Sequence, residues 1–180
     1  MKKLTLIGSV VVFCALVALG LAAEDKYSLR VQDGLAFSDF RGYEGWQTVA
    51  VSRTEAQNVI RVMLANPVMI EAYREGTPDN GKQFPDGAKI AKILWRPRAI
   101  TSAPFSMEKP DEVSGALSAV ELMEKDTKRF PDTHGWGYAE FIYDAASGNF
   151  KPLGTGASCG ATCHNLAAHK DYVFTEYSQR

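Results

Sequence analysis

The sequence has no excess of charge of either sign: 20 basic residues stand against 21 acidic ones in 180. A near-neutral chain offers no broad basic field, which excludes non-specific nucleic-acid binding as its business. It also has no repeat at a period of 20 to 50 residues, no low-complexity tract and no linker that would split it. Solenoids, arrays and two-domain enzymes are thereby set aside. With 46% hydrophobic residues the chain is neither disordered nor fibrous, and it suffices for one globular domain with a sizeable core. Small molecules or protein partners are the expected ligands. Cysteine is scarce as well, with three residues, Cys14, Cys159 and Cys163.

The first 27 residues read MKKLTLIGSVVVFCALVALGLAAEDKY. Lys2 and Lys3 precede an apolar run from Leu4 to Leu21, and small residues follow. This is the pattern of a secretory signal peptide over residues 1–23, cleaved after Ala22 or Ala23. Residues 24–180 then form the mature domain, and Cys14 leaves with the leader. A retained membrane anchor is the competing reading, because the run approaches spanning length. Small residues follow it and no positive cluster does, which favours the leader. Cys14 lies inside the run without a convincing small-residue site before it, which argues against a lipoprotein. Export to a bacterial-type periplasm puts the two remaining cysteines in an oxidising compartment, where they are bridged, metal-bound or capped.

Apolar alternation at period two marks strands in WQTVAVS, from Trp46, and in NVIRVMLAN, where Ile60, Val62 and Leu64 share a side. Pro67 opens a short helix, PVMIEAYREG, that stops at Gly76. TPDNGKQFPDG is a loop, dense in turn formers. AKILWR is a third strand, and GWGYAEFIYD, residues 135–144, is the clearest of all. The segment 112–129 is ambiguous, with a β-branched start and a charged second half. SGNFKPLGTGAS reads as turn and loop leading into a short helical turn with the cysteines, and DYVFTEY as a strand or a terminal cover. The expected fold is α+β, a mainly antiparallel β-sheet with a few short helices.

Two strands carry a polar residue on an apolar face. Around residues 88–96 one face holds Lys92 and the other Lys89, so whichever is inward has a lysine among apolar neighbours. A lysine so placed is paired, neutral, chemically used, or snorkelling from an edge. In 135–144, Trp136, Tyr138, Glu140 and Ile142 share a face. Burial there raises a carboxyl pKa toward the range useful for proton transfer; the alternative is a solvated carboxylate or one paired with an arginine such as Arg61.

Near the end stands ASCGATCHN, with three residues between Cys159 and Cys163 and His164 directly behind. Covalent haem attachment takes two thiols on one side of the porphyrin and an adjacent imidazole for iron, usually with two residues between the cysteines. Residues four apart on a helix share a face nearly as well as residues three apart, so the wider spacing suits haem too. A disulfide between these cysteines, or a zinc site completed by His134 or His169, are the alternatives.

Taken in order, a Trp-containing first strand, IRVMLANPVMIEAYREG, FPDGAKIAKI, HGWGYAEFIYD and CGATCHN followed by DYVFTEY resemble the cytochrome P-460 family, which includes the cytochromes c′-beta. The resemblance spans most of the mature domain. It implies an antiparallel sheet with helices, a homodimer, and one c-type haem held by Cys159 and Cys163. His164 would bind the iron, with the position opposite left open. In the enzyme branch a lysine is bonded to the porphyrin rim; Lys92 matches it, five residues after the glycine of FPDG, with Lys89 close by. A distal carboxylate that moves protons matches Glu140, and a pocket arginine matches Arg61. The implied activity is oxidation of hydroxylamine, with nitric oxide as a further substrate, giving nitrous oxide and passing electrons to a small redox protein. The same resemblance admits a cytochrome c′-beta that binds nitric oxide without turnover, its pocket walled by aromatic residues such as Phe37, Phe40, Phe84 and Phe105. A simple electron carrier, with Met63, Met69 or His134 on the iron, is the third reading.

Overall fold

The structure is a computed structural model that describes residues 25–99, 112–154 and 157–177. The expected leader and Phe105 lie outside the described residues. Six strands run as an antiparallel meander in chain order: β1 (Gln47–Thr54), β2 (Val59–Ala65), β3 (Lys89–Ala99), β4 (Glu112–Lys125), β5 (Trp136–Asp144) and β6 (Asn149–Leu153). Helix α1 (Pro67–Arg74) joins β2 to β3, and α2 (Ala157–His164) follows β6. This is the α+β architecture expected from the sequence. Among the described residues no helix is long and apolar enough to cross a membrane.

Helix α1 begins where the sequence placed it, with Pro67 at its first turn. Asn66 is more than its cap. Its Oδ1 accepts from Met69 N and from Lys89 N, each at 3.0 Å, while its Nδ2 donates to Gly87 O at 2.8 Å. One side chain thus ties the helix start to the first residue of β3 and satisfies one helix donor, Met69 N, that would otherwise lack a partner.

Two sequence readings change. The ambiguous segment is strand β4 through Lys125, not strand then helix. Its charges are matched across the ladder rather than solvated on a helix: Glu121 lies opposite Lys92, and Glu124 opposite Lys89. The stretch expected as loop after β5 forms strand β6. Asp144 closes the hairpin by accepting from Ala146 N and Ser147 Oγ, both at 3.0 Å, and Gly148 takes the left-handed φ of 72°. Pro152 fits there because β6 is an edge strand, whose outer N–H needs no ladder partner. DYVFTEY adds no strand; it is a cover, with Val173 buried.

The sheet has two differently used faces. On one, Val62, Ile93, Val120 and Phe141 form a row, and short 3₁₀ turns between residues 26 and 45 pack against it. Phe37 meets Phe141 with ring centroids 4.7 Å apart and Phe150 at 5.2 Å. On the other face, Trp136 and Tyr138 lie under the C-terminal segment and α2. Phe84 packs edge-on to Trp136, and Tyr73 of α1 stacks on Tyr177 and donates its hydroxyl to Thr175 O at 2.9 Å. Farther along that second face the residues turn polar.

Candidate functional site

The polar row runs straight across the sheet: Met63 on β2, Lys92 on β3, Glu121 on β4 and Glu140 on β5 are successive partners in register. Lys92 is fixed by the tethering of β3 to β4 where β3 begins. Gly87 N donates to Lys125 O at 2.8 Å, and Asp86 accepts from the amide and hydroxyl of Thr127 at 2.9 Å each, which pins the FPDG turn and the register that follows. The Lys92 ammonium is ion-paired to the Glu121 carboxylate beside it. Glu140 is held above the usual carboxylate range, first by burial and then by repulsion from Glu121, while Lys92 pulls the other way.

Face parity separates the two lysines. Lys89 points to the opposite face, where it pairs with Glu124 at 3.0 Å, donates to Asp39 O at 2.7 Å and lies over the Phe40 ring. It is a satisfied core lysine, whereas Lys92 shares the face of Glu140. Arg61 is on that face too, but its guanidinium is bonded to Ser52 Oγ at 3.2 Å and to Thr54 Oγ1, toward β1 and away from Glu140. The alternative reading, in which Arg61 pairs with Glu140, finds no such pair among the described residues. Phe37 and Phe40 serve the opposite face, and Phe84 lies behind Trp136, so none of these three joins the polar row. Of the three alternative ligands, Met69 is buried in the core and His134 stacks on Tyr172 at 4.4 Å, leaving Met63 in the row.

Helix α2 brings His164 onto this face. Its ring rests against Tyr138, two residues before Glu140 on β5, with centroids 4.9 Å apart, and meets Phe174 at 5.1 Å. His164 Nδ1 lies 2.6 Å from the Tyr172 carbonyl. A carbonyl only accepts, so Nδ1 carries the proton and Nε2 keeps its lone pair. Burial lowers the His164 pKa, as does the Lys92 ammonium, against the Tyr172 bond and Glu121, which raise it. Lys92, Glu121 and His164 therefore act on one another electrostatically. Cys163, next to His164, has a free and exposed thiol; the Cys159 side chain lies outside the described residues. Among the described residues no three His, Cys, Asp or Glu side chains gather as a metal cage.

The close seat of α2 explains a glycine in mid-helix. A Cβ at Gly160 would stand 2.4 Å from Tyr138 Cγ, so the helix can lie on β5 only without one. Gly160→Ala is therefore expected to lower stability by roughly 1–3 kcal/mol despite alanine's better helix propensity, and to lower the haem content of the purified protein. Thermal melting with haem quantification checks this; an unchanged melting temperature would remove the contact from the account.

Sequence reasoning missed Glu121, because its segment was ambiguous and its partners lie on neighbouring strands. Once β4 is a strand, the alternation in AVELMEK puts Glu121 beside Lys92 and Glu140.

The donor set fits a haem: a neutral, half-buried imidazole with its second nitrogen anchored, a thiol on the adjacent residue, and exposed apolar Leu166 and Phe174 about it. Comparison with curated proteins found no match. A family model described as Cytochrome P460 matches residues 40–175, a span that takes in Lys92, Glu121, Glu140, both C-terminal cysteines and His164. With the antiparallel sheet, the anchored histidine and this match agreeing, the chain belongs to the cytochrome P460 family of haem cytochromes.

Proposed function

We propose that this protein is an exported mono-haem c-type cytochrome, working in the periplasm as a homodimer, that oxidises hydroxylamine to nitrous oxide. The observation that carries the reading is the row of Lys92, Glu121 and Glu140 on the face where His164 sits. His164 would hold the iron through Nε2, Cys159 and Cys163 would hold the macrocycle, and Lys92 would bond its rim. When bound, the haem supplies a centre that accepts electrons from the substrate and hands them to a small redox protein.

The chain's own residues supply the proton chemistry. Conversion of two hydroxylamines to nitrous oxide and water releases four protons with four electrons, so a base beside the substrate is needed at every stage. Glu140, its pKa raised by burial first and by Glu121 next, is the carboxylate of the row suited to accept and pass on protons. Glu121 holds the Lys92 side chain in the row by its ion pair and is placed to accept the proton that Lys92 must lose; the nitrogen–carbon bond would then replace a rim C–H, releasing two protons and giving two electrons to a peroxide-class oxidant. Burial first, and then the Lys92 ammonium, favour the neutral form of His164, while the Tyr172 carbonyl selects the tautomer a metal requires.

Tryptic-peptide masses of the haem-loaded protein, taken with its ferrous absorption spectrum, test the reading. The expected result is a haem peptide containing residues 159–164 joined to a second peptide containing Lys92, with a strongly red-shifted ferrous Soret band. Haem on the cysteines alone with an ordinary Soret band would favour nitric oxide binding without turnover. A low-spin spectrum insensitive to added ligands would favour electron transfer.

A further inference from the structure

The most deeply buried ion pair in the described structure lies outside the polar row. Lys125, the last residue of β4, and Asp171, just beyond the 3₁₀ turn after α2, have side chains 1% and 3% exposed. Lys125 Nζ reaches Asp171 Oδ1 at 2.9 Å and Oδ2 at 3.1 Å, donates to His134 O at 3.1 Å and sits 5.0 Å over the Trp136 ring. Asp171 Oδ2 also accepts from Phe84 N at 2.8 Å. Two apolar side chains of similar volume would fill this space with less desolvation, so burial alone does not explain the pair.

What the pair holds is unusual. Asp171 and Tyr172 are consecutive non-glycine residues at positive φ, 47° and 65°. Left-handed backbone at two successive side-chain-bearing residues persists only where the surroundings over-determine it. Here Asp171 is clamped by Lys125 and Phe84 N, and the Tyr172 ring is stacked on His134, whose own carbonyl is bonded to Lys125. The product of this conformation is the direction of one carbonyl, Tyr172 C=O, at 2.6 Å from His164 Nδ1.

We infer that Lys125 and Asp171 are positioning residues for the proximal histidine: the buried pair locks the Asp171–Tyr172 turn so that the Tyr172 carbonyl fixes the tautomer and ring plane of His164 and sets its strength as an iron ligand. The inference rests on the reading of His164 as the iron ligand. A strong bond from Nδ1–H to a carbonyl makes the imidazole more basic, so the bond from Nε2 to iron strengthens with it. Loosening the turn weakens both.

The test is the iron–histidine stretching band in resonance Raman spectra of the ferrous, haem-loaded protein. Asp171→Asn, nearly isosteric and still able to accept from Phe84 N, is the first variant, and Lys125→Met the second. Lys89→Met, which breaks the Lys89–Glu124 pair on the opposite face, is the control. The band is expected to move to lower frequency in the first two and to stay in place in the control. No movement in folded Asp171→Asn, or an equal movement in Lys89→Met, overturns the inference. The nitrogen-15 NMR spectrum of His164 separates the two readings. A solvent-protected Nδ1–H in the parent that is lost in Asp171→Asn supports the clamp whatever ligates the iron, and a parent without it overturns the clamp. Absence of an iron–histidine band in a haem-loaded parent would instead remove His164 as the ligand.

Discussion

Glu140→Gln is expected to slow hydroxylamine oxidation by about 10²- to 10⁴-fold while leaving haem content unchanged, the usual scale for removing a general base. The substitution preserves size and keeps hydrogen-bonding atoms at the same place in the row, but it removes the carboxylate proposed to take the proton. Burial first, and then the facing Glu121, raise the pKa of Glu140. The parent rate should therefore climb with pH through a limb above the ordinary carboxylate range, and the variant should lack that limb. The charged groups facing Glu140 fix its direction: Glu121 and Lys92 lie in the same row, with His164 over Tyr138 and Arg61 drawn off to β1. If Lys92 is bonded to the porphyrin rim as proposed, it is no longer an ammonium, so the offset to the Glu121 repulsion disappears and the limb shifts to higher pH.

Stability supplies an independent check of opposite sign. A carboxyl whose folded pKa is raised contributes stability that is fully present below its unfolded pKa and is lost as pH rises through the folded value. At pH values above its raised pKa the ionised Glu140 is thus a net cost to the fold, and Glu140→Gln should melt higher than the parent there. The gap should close in acid. A variant that is slower but also less stable above that pKa would mean that Glu140 is structural, and one that keeps its rate would remove it from the mechanism. A residue that costs stability and serves chemistry is what a functional site leads one to expect.

Much of this arrangement is legible in the sequence wherever a pattern is local. Alternation in β5 alone puts Glu140 on a face with Trp136, Tyr138 and Ile142, and the register agrees. The start of α1 follows from Pro67. What is not legible depends on partners distant in the chain. Residues 112–125 carry charges at intervals that suit either a helix or a paired strand, and only Lys92 and Lys89 on β3 decide between them. Whether Lys92 or Lys89 shares the face of Glu140 likewise needs the register. Asp171 is only the first residue of DYVFTEY, a strand or a terminal cover, until the fold brings it to Lys125, 46 residues earlier.

That pair carries the largest expected effect on stability. Lys125→Met is expected to destabilise the fold by about 3–5 kcal/mol, because Asp171 is left as a buried charge without its counter-ion. In a chain of this size that is a fall of roughly 6–20 °C in melting temperature. The double variant Lys125→Met with Asp171→Leu should recover most of the loss, since an apolar pair of like volume needs no desolvation. A residue of about 1–3 kcal/mol should remain for the Phe84 amide, which then has no acceptor. Thermal or urea melts of the three proteins decide the matter; a double variant no more stable than Lys125→Met would mean that the pair is worth its burial for stability itself. If the double variant does recover, it separates the two roles of the pair. Its core would be sound again, but the charge clamp on residues 171 and 172 would be gone, with only the His134 stack on Tyr172 left, so the carbonyl facing His164 should remain loose and the iron–histidine band should stay low. A protein restored in stability and not in its spectrum would place the purpose of the buried charges at the histidine they aim.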